Sequence, residues 1–519
     1  MRKTALLFIT ALLLSASAFA QYDFTIGHLQ NLRDNQIYFN GINTAIRPAT
    51  GVENELYDSL IFPKNDKVEK NWWVRKLFHE HLFIIGNDDY KVYIDPVFDF
   101  RYNRLRNLDT DEHIGGYTNT RGVLVHAKLS KYVYLNTSFY ENQAVLPAYL
   151  EDAVYRYKGN IPGYARVKKL SGYSEFDYAN AYGSISVKPI DCLNITLGYD
   201  RLFIGDGYHS MILSDFAAPM PYVKTSVKFG KWEYTNLVTR LMQYSDYNTK
   251  VETADKQSKV ATYNLMTFNP QNGWQFTFFE QSVIDHKNKT FWGGLAQGIP
   301  VARIFLPLGV DNTNSKFGAN VSYENKKIGI FYAQLALNET RLCDTICWHR
   351  QASIDVQIGY KNHNLFNVKN LTFLAEANVS SIIAQKHDSN YTGSFTEGNY
   401  DIAHIYTINT NYGQPLTIPG NTDDYIITAM LSYQIKQFKL LAKYEYSPSL
   451  PSISNNTVTN YPSDYFIYPK DCFDFQFIYE MNPVSRMQWF AGFTLYDLGG
   501  GFSNYYASVG FRTALRGSY

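Results

Sequence analysis

From about residue 90 onward, the chain alternates between apolar and polar positions. In QASIDVQIGY (351–360), Ala352, Ile354, Val356, Ile358 and Tyr360 fall on one side of an extended chain, and Ser353, Asp355, Gln357 and Gly359 on the other. DCFDFQFIYE (471–480) repeats this, with Phe473, Phe475, Phe477 and Tyr479 opposite Asp474, Gln476 and Glu480. In YKVYIDPVFDFRY (90–102), Val92, Ile94, Pro96, Phe98 and Phe100 oppose Lys91, Asp95, Asp99 and Arg101. Successive side chains of a strand point to opposite faces, so each run predicts a strand with one apolar and one polar face. The pattern predicts 18 strands, near 90–102, 121–129, 132–140, 180–188, 193–200, 222–229, 232–242, 259–268, 274–283, 317–324, 328–337, 351–360, 371–382, 425–435, 438–446, 471–480, 487–495 and 504–515. Sixteen is the alternative if 259–268 and 317–324 are not strands.

Two architectures use such strands: a soluble sandwich with its apolar faces inward, and an outer-membrane barrel with them turned to lipid. Connection lengths separate the two. Several strand pairs are joined by very short turns at Ser130-Lys131, Gly230-Lys231, Asn325 to Lys327, Lys436-Gln437 and Asn482 to Ser485. Between those hairpins run long polar, aromatic connections at 141–179, 285–316, 384–424 and 447–470. Short turns at one end and long loops at the other belong to transmembrane barrels, which in bacterial single chains have an even number of strands. The expected fold class is therefore all-β, a transmembrane antiparallel β-barrel of about 18 strands (16 as the alternative).

Composition fits. Aromatic residues make up 16% of the chain, with 43 tyrosines, as the interfacial girdles of a barrel require. The mean hydropathy of −0.28 follows from strands apolar on one face only. Nothing after residue 20 is long and apolar enough for a helical span; RIFLPLGV (303–310) is far too short.

The N-terminus differs from the rest. MRKTALLFITALLLSASAFA has a basic start at Arg2 and Lys3, an apolar run from Ala5 to Leu14, and a small-x-small site at Ala18-Phe19-Ala20. It predicts a signal peptide over 1–20, cleaved after Ala20 to leave Gln21 first, and thus export to the cell outer membrane. Removing Arg2 and Lys3 leaves 46 Lys+Arg (48 less 2) against 47 Asp+Glu, which gives no support to a nucleic-acid partner. Residues 21–89 read as an N-terminal periplasmic or plug segment, and 90–519 as the barrel with its long extracellular loops. Within the first, NDKVEKNWWVRKLFHEHLFI (65–84) predicts a short amphipathic helix carrying Val68, Trp72, Leu77 and Phe78.

Candidate chemistry is sparse. Cys343 and Cys347 in LCDTICWH lie close enough for a local disulfide in an oxidising compartment, with a metal pair including His349 as the competing reading; Cys192 and Cys472 are left unpaired. His79, Glu80 and His81 (FHEHLF) could hold a metal but lack a third ligand at motif spacing, so a helix surface is the simpler reading. DNTNS (311–315) and NTDD (421–424) lack the glycine and bidentate glutamate of a calcium loop. No cofactor is implied.

The densest cluster of functional residue types is LFIGDGYHSMILSDFAAPMPYVK (202–224). Asp206, His209, Ser210 and Asp215 invite a catalytic reading. Yet no G-x-S-x-G elbow is present, and neighbours such as His209 and Ser210 point apart in an extended chain. GDGYHS lacks the glycine spacing, the Lys-Ser/Thr pair and the following helix of a phosphate loop. The structural reading is a fixed loop on the extracellular side, or folded from there into the lumen. Gly205 and Gly207 allow tight turning, Ser214 or Asp215 tie up loop amides, and Pro219 and Pro221 keep the approach to the next strand extended.

This segment resembles the signature of the Wzi-type capsule-assembly family of outer-membrane barrels, nearest its RemB-like gliding-motility branch in Bacteroidota. The resemblance rests on Gly205, Asp206, Gly207, Tyr208, His209, Ser210, Leu213, Ser214, Asp215, Ala217, Ala218, Pro219 and Pro221, a loop motif that is either structural or in contact with glycan, with Ser214 and Asp215 as its polar contacts; NTAIRPATG (43–51) resembles the start of the RemB-like proteins. Phe203-Ile204 stands where capsule-assembly members often carry a tryptophan. The resemblance implies an 18-stranded barrel with a helical N-terminal element, no catalysis, and a surface role in polysaccharide attachment or in gliding and adhesion. Its partners would be outer-membrane lipid, surface polysaccharide, and motility or secretion-complex proteins. A porin-like channel for small solutes is the alternative.

Overall fold

The computed structural model describes residues 46–47, 71–87, 90–107, 112–130, 132–146, parts of 150–169, 175–244, 256–270, 272–284, 313–325, 327–338, 352–383, 410–412, 414–417, 424–447, 471–497 and 504–513. Eighteen strands form a closed antiparallel barrel. They are β1 (Lys91–Asn107), β2 (Glu112–Ser130), β3 (Val133–Val145), β4 (Glu175–Ile190), β5 (Leu193–Asp200), β6 (Met220–Phe229), β7 (Trp232–Tyr244), β8 (Lys256–Phe268), β9 (Trp274–Ile284), β10 (Thr313–Asn325), β11 (Gly329–Asn338), β12 (Ala352–Asn362), β13 (Leu371–Ile383), β14 (Asp424–Ile435), β15 (Phe438–Tyr446), β16 (Asp471–Asn482), β17 (Met487–Asp497) and β18 (Asn504–Thr513). Each pairs with the next in sequence, and β18 closes the ring by pairing with β1 from Asn504↔Asn107 to Arg512↔Asp99. The 18-strand expectation holds, including the strands at 259–268 and 317–324.

The alternation places the faces as expected. Val356 and Ile358 are exposed while Asp355 and Gln357 are buried in the lumen. Phe473, Phe475 and Phe477 are likewise exposed to the outside. Trp232, Trp274 and Trp489 each open, or nearly open, a strand that leaves a short turn. Each packs at a tilt against its cross-strand partner, Phe268, Tyr323 and Phe511 respectively, at 4.5, 4.7 and 4.7 Å between ring centres. Such pairs stabilise a sheet locally, and here they form an aromatic belt at the short-turn rim.

The short turns carry their own chemistry. Asn482 Oδ1 accepts from the N–H groups of Val484 (2.9 Å) and Ser485 (3.2 Å), and Asn325 Oδ1 from Lys327 N–H (2.9 Å). These are side-chain turns of the kind asparagine favours.

Several strands run past their predicted ends, most of all the β1–β2 hairpin, where pairing continues to Asn107↔Glu112. The extension carries Arg104, Arg106, Glu112 and His113. Outside the bilayer both faces of a strand can be wetted, so apolar alternation stops before the hydrogen-bonded ladder does.

The predicted helix is present but shorter than its pattern: α1 spans Trp72–Phe78. Asn71 Oδ1 caps it by accepting from Trp73 N–H at 3.0 Å. Phe83–Gly86, which begins inside the predicted helical stretch, instead forms a short strand on Lys91–Ile94 of β1. That part of the β1 edge lies beyond the reach of β18, and the backbone groups it offers favour an extended partner. Asn482 Nδ2 donates to the carbonyls of Lys76 and Glu80, both at 3.0 Å, which holds α1 at the short-turn end of the barrel. Val68 and residues 1–20 lie outside the described residues.

Candidate functional site

Between β5 and β6 the chain turns into the barrel. Every residue from Arg201 to Met220 is buried. Phe203–Ile204 pair with Ile46–Arg47, and Ile204 N–H donates to Leu213 O at 2.8 Å, so the segment doubles back on itself. Its apolar side chains Leu202, Ile204, Ile212, Leu213 and Ala217 pack on lumen-facing Leu237, Leu241, Tyr263, Leu265 and Phe279, a patch where the inner wall departs from the usual polar lumen.

On the other side the segment is held by polar side chains of the wall. A backbone without regular structure cannot stay buried unless its amides and carbonyls find partners. Glu376 on β13 is the partner of two adjacent amides. Its carboxylate accepts from Tyr208 N–H (2.7 Å), His209 N–H (2.9 Å), the Tyr332 hydroxyl (2.8 Å) and Asn378 Nδ2 (2.8 Å), and pairs with His209 Nδ1 (2.9 Å). Gln334 on β11 accepts from Met211 N–H at 2.9 Å, and Gln357 on β12 donates to His209 O at 2.8 Å. Asn320 Nδ2 donates to Asp206 Oδ2 at 2.6 Å. The Lys361 ammonium bonds Asp206 O, and Lys316 Nζ donates to Met211 O at 3.2 Å.

The two glycines are required by this close approach. Gly205 has φ +150°, and a Cβ there would lie 2.2 Å from Gln334 Nε2. A Cβ on Gly207 would lie 2.4 Å from Glu376 Oε2 and 2.7 Å from His209 O.

The other residues singled out from the sequence have equally definite places. The Ser210 hydroxyl donates to Ile204 O and accepts from the N–H groups of Ile212 (3.0 Å) and Leu213 (3.3 Å). Ser210 thus tightens the loop, while the His209 ring turns to Glu376. Ser214 N–H donates to Leu416 O (2.7 Å), and Ser214 Oγ accepts from Phe216 N–H (3.4 Å). Asp215 is buried, and its carbonyl accepts from Arg201 (3.4 Å). Asn411 Nδ2 donates to Ala218 O (2.9 Å) just ahead of Pro219. Pro221 lies within β6, where its carbonyl accepts from the Thr239 hydroxyl (2.9 Å).

The His209 ring lies among charged side chains of the wall. Nδ1 meets Glu376 at 2.9 Å, and Nε2 lies 3.7 Å from Glu445 Oε2. Lys443 Nζ is 3.9 Å from Glu445 and 3.4 Å from the Tyr208 hydroxyl. Burial alone would lower the imidazole pKa, but the hydrogen bond to Glu376 and the charges of Glu445 and Glu376 outweigh it, so the pKa is raised.

The remaining candidates scatter. His81 Nδ1 pairs with Asp95 at 2.5 Å, Glu80 with Arg75 (2.9 Å) and Lys76 (3.0 Å), and the His79 backbone ends α1. Cys192 is exposed and Cys472 buried, both unpaired. Cys343, Cys347 and most of the two calcium-like loops lie outside the described residues. Sequence reasoning missed Glu376, Gln334, Asn320, Lys361 and Asn411 as partners of the segment. Gln357 was placed on a polar face, but nothing local tied it to His209.

Fold and site together define an outer-membrane β-barrel with one inter-strand connection folded into its lumen and bonded to the wall. No family model matches the chain, and no curated protein matches it. Among solved structures, the barrel is similar to Wzi of Escherichia coli, described as an outer-membrane protein involved in group 1 capsule assembly and a carbohydrate-binding β-barrel. That similarity has a TM-score of 0.50 at 11% identity and covers 96% of this chain and 100% of Wzi. It also matches OccK8 (OprE) of Pseudomonas aeruginosa, with a TM-score of 0.42 at 5% identity over 81% of this chain and 97% of that one. OccAB4 of Acinetobacter baumannii gives 0.42 at 7% identity over 82% and 97%.

Proposed function

We propose that this barrel is a non-enzymatic surface protein that holds polysaccharide at the outer membrane. In this reading the long external connections are the contact surface, and the 201–219 segment is an internal scaffold. The observation that carries it is the complete burial of that segment: Ser210 and His209, its two reactive side chains, are both committed to structural partners, the first within the segment and the second on the wall. The carbohydrate binding described for Wzi, whose fold spans both chains almost entirely, supports the same role. Residues 1–20 would be removed on export, leaving Gln21 first.

The test is the ratio of cell-bound to shed surface polysaccharide in a deletion strain and in a Glu376→Ala strain. More shedding in both is the expected result. An unchanged ratio in both would transfer the assignment to gliding or adhesion complexes. Steady conductance of the purified protein in planar bilayers would instead favour a solute channel.

A further inference from the structure

Most hydrogen bonds between the segment and the wall go to β10–β13. A different arc, β16–β18 and β1, carries a second set of buried polar groups. Arg512 on β18 is buried. Its Nε donates to Gln488 Oε1 at 3.2 Å and one terminal nitrogen to Gln476 Oε1 at 3.1 Å. Its guanidinium carbon lies 4.1 Å from the centre of the Phe490 ring, and Arg101 stacks against the same ring at 5.1 Å.

The nearby carboxylates are committed elsewhere. Asp99 is bonded by two nitrogens of Arg101. Asp474 accepts from the Thr494 hydroxyl (2.7 Å) and from Gln476 Nε2 (2.9 Å), so Gln476 stands between it and Arg512. Among the described residues no carboxylate lies within ion-pair distance of Arg512, and its hydrogen-bond acceptors are both amides.

A buried guanidinium is expensive without an anion, and its planar fork fits a carboxylate. Here two glutamines and an aromatic face hold that fork in place before any anion arrives. The rungs beside it are partly open: Asp474, Gln476, Thr494, Tyr506 and Ser508 are only half-buried. They add a ring and hydroxyls, groups that stack on sugar faces and bind sugar hydroxyls, while Asp474 and Gln476 stay bonded as above.

We propose that Arg512, seconded by Arg101 across the Phe490 ring, is a lumenal site for a carboxylate carried on a hydroxylated ligand, a uronate. The uronate could belong to an acidic glycan or to a free sugar acid, and only the first source rests on the polysaccharide reading above.

The test uses the full-length barrel in detergent, with native folding checked by heat-dependent gel mobility. Calorimetric titrations compare trigalacturonate, galacturonate and maltotriose. Trigalacturonate or galacturonate binding should weaken at least about tenfold in Arg512→Gln, the loss of one charge-assisted contact. It should weaken less in Arg512→Lys, and maltotriose should bind poorly throughout. Should Arg512→Gln not fold, Phe490→Leu, which removes the stacking face, carries the same expectation. A trimer bound more tightly than the monomer identifies a glycan chain, and equal binding a free sugar acid; both support the site. Equal uronate affinity in wild type and Arg512→Gln, no uronate binding at all, or equal binding of maltotriose would overturn it. Uronate binding lost in Arg512→Gln with polysaccharide retention unchanged would uphold this site while setting it apart from the surface role.

Discussion

Two arcs of one inner wall treat their charges in opposite ways. Along β10–β13, Glu376 is surrounded by five donors, three of them on Tyr208 and His209 of the inward-folded segment. Along β16–β18 and β1, Arg512 has only amides and a ring. The first arc has its counterpart built into the chain. The second has its side chains positioned, but its carboxylates Asp99 and Asp474 are bonded to other groups and, among the described residues, none is at ion-pair distance from Arg512. Position on the wall does not separate them, since both arcs are lumen-facing and buried. What separates them is whether a segment of the protein completes the electrostatics, and that difference marks one arc as scaffold and the other as a site.

Glu376→Ala should therefore produce the largest effect. It strips the acceptor from buried backbone amides and from the His209 ring, and removing one partner of a buried pair costs about 3–5 kcal/mol. A lowered thermal midpoint and faster proteolysis within 201–219 are expected. Arg512→Gln should cost about 1 kcal/mol, because its partners are neutral amides. If the two substitutions lowered the midpoint equally, the contrast between scaffold and site would collapse.

Gly207→Ala probes the same arc by crowding. Its added Cβ would meet Glu376 Oε2 at 2.4 Å, His209 O at 2.7 Å and Gln357 Nε2 at 2.8 Å. The segment would have to lift away from the wall, at about 1–3 kcal/mol for overpacking. Gly205→Ala should behave alike, with its φ of +150° as an added burden. Thermal melts of both variants check this, and midpoints equal to wild type would mean the segment is held more loosely than its contacts indicate.

The barrel was legible because lipid enforces a period of two. β5 and β15 begin and end where the alternation places them, at 193–200 and 438–446. The ladder outran the pattern most in the β1–β2 hairpin, where charged residues interrupt the apolar alternation. The segment at 202–224 stood out because paired glycines and prolines leave a local mark. Its partners left none. Glu376 is 167 residues from His209 and Gln334 is 123 from Met211, and each sits on a lumen-facing polar position much like dozens of others. Arg512 was illegible for the same reason: its significance lies in the missing carboxylate, a property of space rather than of spacing.

The smallest effect should come from pH, and it tests whether His209 belongs to the scaffold electrically as well as by contact. The imidazole belongs to the segment, not to a strand, and faces Glu376, Glu445 and Lys443. Its folded pKa is raised above 6.5, because the Glu376 hydrogen bond and both carboxylates outweigh burial and the Lys443 charge. A group raised in this way stabilises fully below its unfolded pKa, and that contribution fades as the pH climbs through the folded value. Other groups titrate too, so the informative quantity is the difference in thermal midpoint between wild type and His209→Gln. That difference should be widest on the acid side of the ordinary histidine value and narrow steadily above it. A difference that stayed constant across the range would mean the ring is held as a neutral spacer, and that Glu376 acts on the segment through its backbone amides alone.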